Sequence, residues 1–468
     1  MSNPGEADAT PITSVRQVAE FIAAGCKPRE QFRIGTEHEK FGFRRGDFSP
    51  PPYDAHPRDA VGAHSRDGGT IRALLEAMAR NGSGEPILDR GNPIGLKHGA
   101  ASISLEPAGQ FELSGAPLET LHQTKAELAA HFAELRGVAA DLGLGFAPLG
   151  FHPFCRRDEM PWMPKGRYAI MRGHMPKVGR LGLDMMTRTC TVQANLDYGS
   201  EEDMVRKLRV ALLAQPLATA LFANSPFTEG RPNGFLSYRA EVWTDTDNQR
   251  SGIPAVMFED GFGFERYAEW LIDSVPMYFV YRNGQYVDVA GTSFRAFMQG
   301  RLHDLAGETA TIGDFADHMT TVFTDVRIKR FLEMRGADAG TPEMMLAQSA
   351  FWTGLLYDEA ALAAALSLLR GAGWADAVAV RRAVQRQGVA APWGHGTLRD
   401  LARELVAVAR DGLRARARLD AGGQDEAAYL APLAAIVDGA PCQAEHWLAR
   451  FHGPWEGEVR RIFDEAEV

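Results

Sequence analysis

The 468-residue sequence predicts an α+β fold with a largely antiparallel sheet, on three observations. Seven strand-like stretches occur, and one of them carries a hairpin signal between its two halves. Irregular helices separate them without the regular βαβ alternation of a parallel sheet. From about residue 340 the composition turns to Ala, Leu, Arg and Glu with helical periodicity.

Taken in order, the first helix is expected over 14–24. Val15, Val18, Phe21 and Ile22 form one stripe there, Thr13 or Ser14 caps it, and Gly25 stops it. A longer helix is expected from about Pro117 to Leu142, with proline in its first turn and Gly143 beyond its end. Leu118, Leu121, Leu128, Phe132 and Leu135 share its inner face. Ser200 followed by Asp203 starts a third helix to about Asn224, kinked at Pro216. Strands are expected over 32–43, 102–113, 145–151, 189–198, 233–243, 277–289 and 328–336. Asn283-Gly284 makes a tight turn inside the sixth of these. Helices in the tail fit 359–371, 375–387, 397–417, 425–438 and 442–464. No linker separates them, so one domain over 1–468 is expected, with a sheet-containing core of about 30–340 and a helical layer of about 341–468.

A chain that is 45% hydrophobic and 24% charged reads as a soluble globular protein. The formal charge of −10 argues against a nucleic-acid partner, which calls for a dominant basic face. No run of about 18 apolar residues suggests a membrane span. The opening "MSNPGEADATPITS" has acidic residues and no apolar core, unlike a secretory signal, and lacks the Arg-rich character of a transit peptide. Cys26, Cys155, Cys190 and Cys442 are scattered without zinc-ligand spacing. Reduced thiols in a cytoplasmic protein are the expectation.

The informative anomaly lies on the strands. Residues i and i+2 of a strand share a face, and on a core face both are ordinarily apolar. Here Glu37 and Glu39 pair in "RIGTEHEKFGF", Gln110 and Glu112 pair below Glu106, Gln193 and Asn195 pair in "TCTVQANLDY", and Glu333 and Arg335 pair in "FLEMRGAD". Any one pair fits a solvated outer face. Four together point to a polar concave face whose carboxylates need cations to offset their repulsion. Such hard oxygen donors suit Mg²⁺ or Mn²⁺, which keep phosphate oxygens as further ligands. A metal–ATP complex is thus accommodated without a phosphate-binding glycine loop, and no GxxxxGK[ST] or GxGxxG is present. "GNPIGLKHGAAS" from Gly91 reads equally as a nucleotide-approaching segment, with Lys97 on phosphate, or as a flexible loop. His38, between the two glutamates, faces the other way and reads as structural. Lys165 and Arg167 in "MPKGRYAIM", and Arg239 and Trp243 in "LSYRAEVWTDTD", are candidate anion contacts.

These segments, with "ISLEPAGQFELSGAPLETLHQT", "QPLATALFANSPFTEGRPNGFLSYRAEVWTDTD" and "VRIKRFLEMRGADAG", resemble the plant-type glutamate–cysteine ligase family over roughly residues 30 to 360. The resemblance implies a glutamine synthetase-like fold, with an antiparallel sheet forming a funnel over ATP, metal and amino acids. It implies ATP-dependent joining of the glutamate γ-carboxylate to the cysteine amine, the first step of glutathione synthesis, with two or three Mg²⁺ ions or Mn²⁺ in their place. A related ligase using another amine is the alternative. By similarity Glu37, Glu39, Glu106, Glu112 and Glu333 fall at metal positions. Arg167, Arg239 and Trp243 fall at glutamate-holding positions, with Gln193 and Asn195 beside the substrate. Arg335 would face the transferring phosphate, with Glu37 and Glu39 also in the catalytic set, and Lys97 and Lys165 are assigned to the nucleotide. A monomer or homodimer is expected. Plant members carry regulatory disulfides; here the matching positions read Lys125, Leu346 and Val289, so both bridges and their redox control are expected to be missing.

Overall fold

The computed structural model describes residues 8–55 and 69–468. The core is an antiparallel sheet of nine strands among the described residues: β1 (Ile34–Arg44), β2 (Glu85–Asp89), β3 (Asn92–His98), β4 (Ala101–Leu105), β5 (Phe111–Ser114), β6 (Leu144–Ala147), β7 (Thr191–Leu196), β8 (Val326–Ile328) and β9 (Leu332–Asp338). Their order is β8-β9-β7-β1-β5-β4-β3-β2, with β6 paired to the far half of β1. The α+β class with a large antiparallel sheet is thus as the sequence predicts.

The helices that matter for the site are α1 (Val15–Ala23), α2 (Ile71–Arg80), α3 (Leu121–Asp141), α4 (Gly166–Val178), α5 (Glu201–Leu221), α6 (Tyr238–Val242), α7 (Pro342–Leu356), α8 (Glu359–Leu368), α9 (Trp374–Gln387), α10 (Leu398–Arg416), α11 (Ala431–Val437), α12 (Gln443–His452) and α13 (Arg461–Ala466). Ser14 and Ser200 cap α1 and α5 through hydrogen bonds from Gln17 and Asp203 N–H groups. Pro216 sits inside α5, which continues through it. Asn283 and Gly284, both at positive φ, turn the hairpin of Phe279–Arg282 and Gln285–Asp288.

Five local expectations are corrected. α3 starts at Leu121, because Thr120 and Gln123 form a reciprocal capping box that overrides the signal of Pro117. The 102–113 stretch is a hairpin, β4 and β5, with Glu106 and Gln110 in its turn. The 233–243 stretch contains a helical turn, α6, capped by Ser237, instead of a strand. The segment from Gly91 is ordered strand: Arg90 and Gly91, at positive φ, turn β2 into β3. The 442–464 helix is broken into α12 and α13 where Gly453-Pro454 interrupts it.

Alternation on β1 creates two unlike faces. Ile34, Thr36, His38 and Lys40 point to the back, where the sheet meets α3 and α7: Thr36 bonds Ser349, and Lys40 Nζ lies 2.8 Å from His131 Nε2. The main core gathers behind this face, around α5 and α7. Glu37, Glu39, Phe41 and Phe43 point to the front. There Phe41 and Phe43 are covered by a C-terminal cluster of Trp447, Trp455 and Phe463, leaving the glutamate half open. Helices of the C-terminal part thus lie against both faces of the sheet, α7 behind it and α12 and α13 in front.

Candidate active site

Register shows which residues share the front face, because directly opposed residues in a sheet lie on the same side. One row runs Lys97, Ser102, Ser114, Glu37, Gln193 across β3, β4, β5, β1 and β7. The next row holds Ser104, Glu112 and Glu39. On the other side of the first row, Asn195 opposes Glu333. Glu37, Glu39, Glu106, Glu112, Gln193 and Arg335 line one hollow of about 250 Å³ with Arg327 and Lys329.

The hollow is built of acceptors. Asn195 Nδ2 donates to Glu37 Oε1 at 2.7 Å, Thr191 N to Glu39 Oε2 at 2.9 Å, and Ser114 Oγ to Glu112 Oε1 at 2.6 Å. These bonds aim the carboxylates but do not neutralise them. Burial pushes Glu37 upward and the charges of Glu333 and Glu112 push it further. Burial, Glu106 and Glu112 push Glu39 well above the carboxylate range, and burial lifts Glu106 to about 7. Such mutual opposition marks a place where a cation belongs.

Glu333 differs. Its carboxylate is fully buried and takes both forks of Arg327 (2.6 and 2.9 Å), Lys329 Nζ (3.0 Å) and Arg335 Nη1 (2.9 Å). Burial alone would raise it, but Arg327, Lys329 and Arg335 outweigh burial and hold it well below the usual range. In this conformation Glu333 anchors three cations at the rim. Gln193 also serves Arg335, accepting from Nη1 at 2.7 Å.

A second, narrower cleft adjoins the hollow, and Arg335 lines both. It holds Arg239 and Trp243, which a spacing of four places on one face of the α6 turn. Arg239 is almost fully buried; its Nη2 donates to Arg335 O at 3.0 Å. Arg239 Nε and Trp243 Nε1 are buried donors with no hydrogen-bond acceptor among the described residues. An orphaned buried donor costs about 1–3 kcal/mol, so this cleft is shaped for an anion. The two cavities meet at a bulge in β9, where the register shifts between Met334 and Ala337. The bulge leaves the Arg335 and Gly336 carbonyls to Arg239, Thr191 and Thr219, and presents the Arg335 side chain between the cavities.

The start of α4 supplies two further cations, Lys165 at its N-cap and Arg167 in its first turn. Lys165 is buried, its Nζ lacks a hydrogen-bond partner among the described residues, and burial with neighbouring Arg167 brings it down to about 8. Arg167 stacks on the Phe279 ring at 5.1 Å. Lys97, by contrast, is exposed near the end of β3. Sequence reasoning missed Arg327, Lys329, Asp325 and Arg381. A basic i, i+2 pair at 327 and 329 beside the 328–336 strand was the available signal for the first two; none marked the others.

Residues 33–465 match glutamate–cysteine ligase family 2 (GCS2). The chloroplastic glutamate–cysteine ligase of Brassica juncea is 48% identical over 455 residues, covering 97% of this chain and 84% of that protein. Its Arabidopsis thaliana counterpart is 47% identical over 455 residues, covering 97% and 83%. Among solved structures, a glutamate–cysteine ligase from Francisella tularensis in complex with AMP shares the fold, with a TM-score of 0.53 at 12% identity over 93% of this chain and 88% of that one. The plant relatives are chloroplastic, which overturns the cytoplasmic location expected from N-terminal composition and cysteine spacing; neither feature fixes a compartment.

Proposed function

Because the chain belongs to glutamate–cysteine ligase family 2, we infer that it joins the γ-carboxylate of glutamate to the amine of cysteine, driven by cleavage of ATP, as the first step of glutathione synthesis. The observation that supports the site assignment is the pair of adjoining cavities, one crowded with carboxylates and the other with guanidiniums and orphaned donors, with Arg335 lining both.

Glutamate fits across this boundary. Its α-carboxylate answers the orphaned donors Arg239 Nε and Trp243 Nε1, and its γ-carboxylate points past Arg335 into the hollow. There it attacks the γ-phosphorus of ATP, giving γ-glutamyl phosphate and ADP. The cysteine amine then attacks the acyl phosphate, forming the amide and releasing phosphate. Arg335 stands where charge spreads over the transferring phosphoryl group, and Glu333 holds it there. Lys165 offers a buried ammonium to phosphate, and Arg167 a stacked guanidinium to the amino-acid substrate. Lys97, exposed on the same face, is the outer candidate for the nucleotide. Gln193 and Asn195 act by orienting Arg335 and Glu37.

The residues fit Mg²⁺. Among the described residues, no three His, Cys, Asp or Glu side chains close into a ready-made cage, yet Mg²⁺ commonly uses one or two carboxylates plus water and phosphate oxygens. Glu37, Glu39, Glu106 and Glu112 would hold it, and Glu333 would join only if a cation at its carboxylate gave way. Bound there, Mg²⁺ screens carboxylate from phosphate and offsets charge in the transfer.

Mass spectrometry of a reaction with ATP, Mg²⁺, glutamate and cysteine tests this reading. γ-Glutamylcysteine with equimolar ADP is the expected product; a better yield with 2-aminobutyrate or a simple amine would reassign the acceptor. Lys125 stacks on Tyr429, while Leu346 and Val289 are buried in the core. Activity is therefore expected to be unchanged by dithiothreitol, and a large loss on reduction would restore a disulfide switch.

A further inference from the structure

The cleft assigned above to glutamate holds a feature that assignment leaves unused. Three guanidiniums line it, Arg239, Arg335 and Arg381, together with one carboxylate, Asp325. Arg381 reaches in from α9 of the helical layer, with Nε 2.6 Å from Asp325 Oδ2 and Nη2 3.0 Å from Oδ1. It also touches the Trp243 carbonyl at 3.5 Å. The Asp325 backbone is fixed from both sides: its N–H donates to Gly252 O at 2.8 Å, and its carbonyl accepts from Arg335 N at 3.0 Å.

An amino acid brings an ammonium as well as a carboxylate. Beside three guanidiniums a bare ammonium is repelled, by roughly 1 kcal/mol per charge at 4 Å even in water and more in a partly closed cleft. Of the described residues lining the cleft, Asp325 alone is a carboxylate, and each of its oxygens keeps a lone pair after accepting one Arg381 bond. We propose that Asp325, held in place by Arg381, receives the α-ammonium of glutamate and so makes the site selective for an α-amino acid over a plain dicarboxylate. This rests on the cleft being the glutamate site. It also gives the helical layer a part in the chemistry, because the pocket's acceptor is set by a residue of α9.

The test compares glutamate with glutarate, which has the same carboxylates and no amine, in wild-type enzyme and Asp325→Asn. Wild type should make γ-glutamylcysteine and discriminate against glutarate by about 100-fold in kcat/KM, the scale of a lost charged hydrogen bond. In Asp325→Asn, glutamate kcat/KM should fall by about that factor while KM for ATP and the glutarate value hold, so the discrimination collapses. A parallel fall for both dicarboxylates, or discrimination that survives the substitution, overturns the inference. Wild type that accepts glutarate as readily as glutamate overturns it without any variant, whatever the variant's stability. Absence of γ-glutamylcysteine from wild type would instead refute the ligase reading itself.

Discussion

The two cavities that meet at Arg335 were built by opposite means. In the hollow, β1, β5 and the turn before β5 bring carboxylates onto one face, and bonds to Asn195, Thr191 and Ser114 orient the charge without cancelling it. In the cleft, the α6 turn, the β9 bulge and helix α9 bring guanidiniums and an indole N–H together, leaving Arg239 Nε and Trp243 Nε1 without acceptors among the described residues. Carboxylates crowd one cavity, and guanidiniums outnumber the single carboxylate Asp325 among the described residues of the other. In the reading proposed above, glutamate answers the cleft with its α-carboxylate and a metal-bound triphosphate would answer the hollow. The difference teaches that the site spends fold stability on substrate complementarity, since each unmet group is unfavourable until a ligand arrives.

Substitutions probe this contrast in decreasing order of effect. Arg335→Met strikes both cavities and should lower kcat by at least about 10³-fold, as expected when a cation facing a transferring phosphoryl group is lost. A change confined to KM for glutamate would place Arg335 in the cleft alone. Glu37→Gln strikes the hollow: turnover should drop on the order of 10²-fold and the Mg²⁺ requirement should rise, with KM for glutamate nearly unchanged. Near-normal kinetics would remove Glu37 from metal binding. Arg239→Ala strikes the cleft and should raise KM for glutamate by roughly 10- to 100-fold while sparing that for ATP. The reverse pattern would exchange the cavities' roles.

The mildest test uses pH and bypasses both cavities. Burial brings His152 down to about 3 and His318 down to about 4, so each ring stays neutral in the fold. The unfolded chain takes up these protons near pH 6.5, before the native state can. Stability is therefore full above about 6.5 and declines as pH falls toward 4, on the order of a few kcal/mol. Thermal melts between pH 8 and 4.5 should show it; a flat profile would mean the rings find partners when protonated.

The sheet and its polar face were legible because period two is a local rule. Glu37 with Glu39, and Gln193 with Asn195, announce a shared face wherever their strands lie. Arg239 and Trp243 were found although their segment was misread as strand, since a separation of four gives one face in either conformation. α7 went unseen for the opposite reason: it is buried nearly all round, so it has no polar stripe to set a period. Arg327 meets Glu333 through the pairing of β8 with β9, whereas the pairing of Asp325 with Arg381 depends on a tertiary contact that no spacing encodes. Nor did any pattern reveal that Arg335 sits on a bulge serving two cavities.

The cover over Phe41 and Phe43 has a further consequence for how the molecule is made. These rings lie on the strand that carries Glu37 and Glu39, yet Trp447, Trp455 and Phe463 close over them from more than 400 residues later. While a ribosome is still translating the chain, that strand waits with two aromatic rings open to water. The growing polypeptide therefore needs sheltering until its final helices emerge, and shortening the gene at its 3′ end should yield aggregates before it yields a slow enzyme.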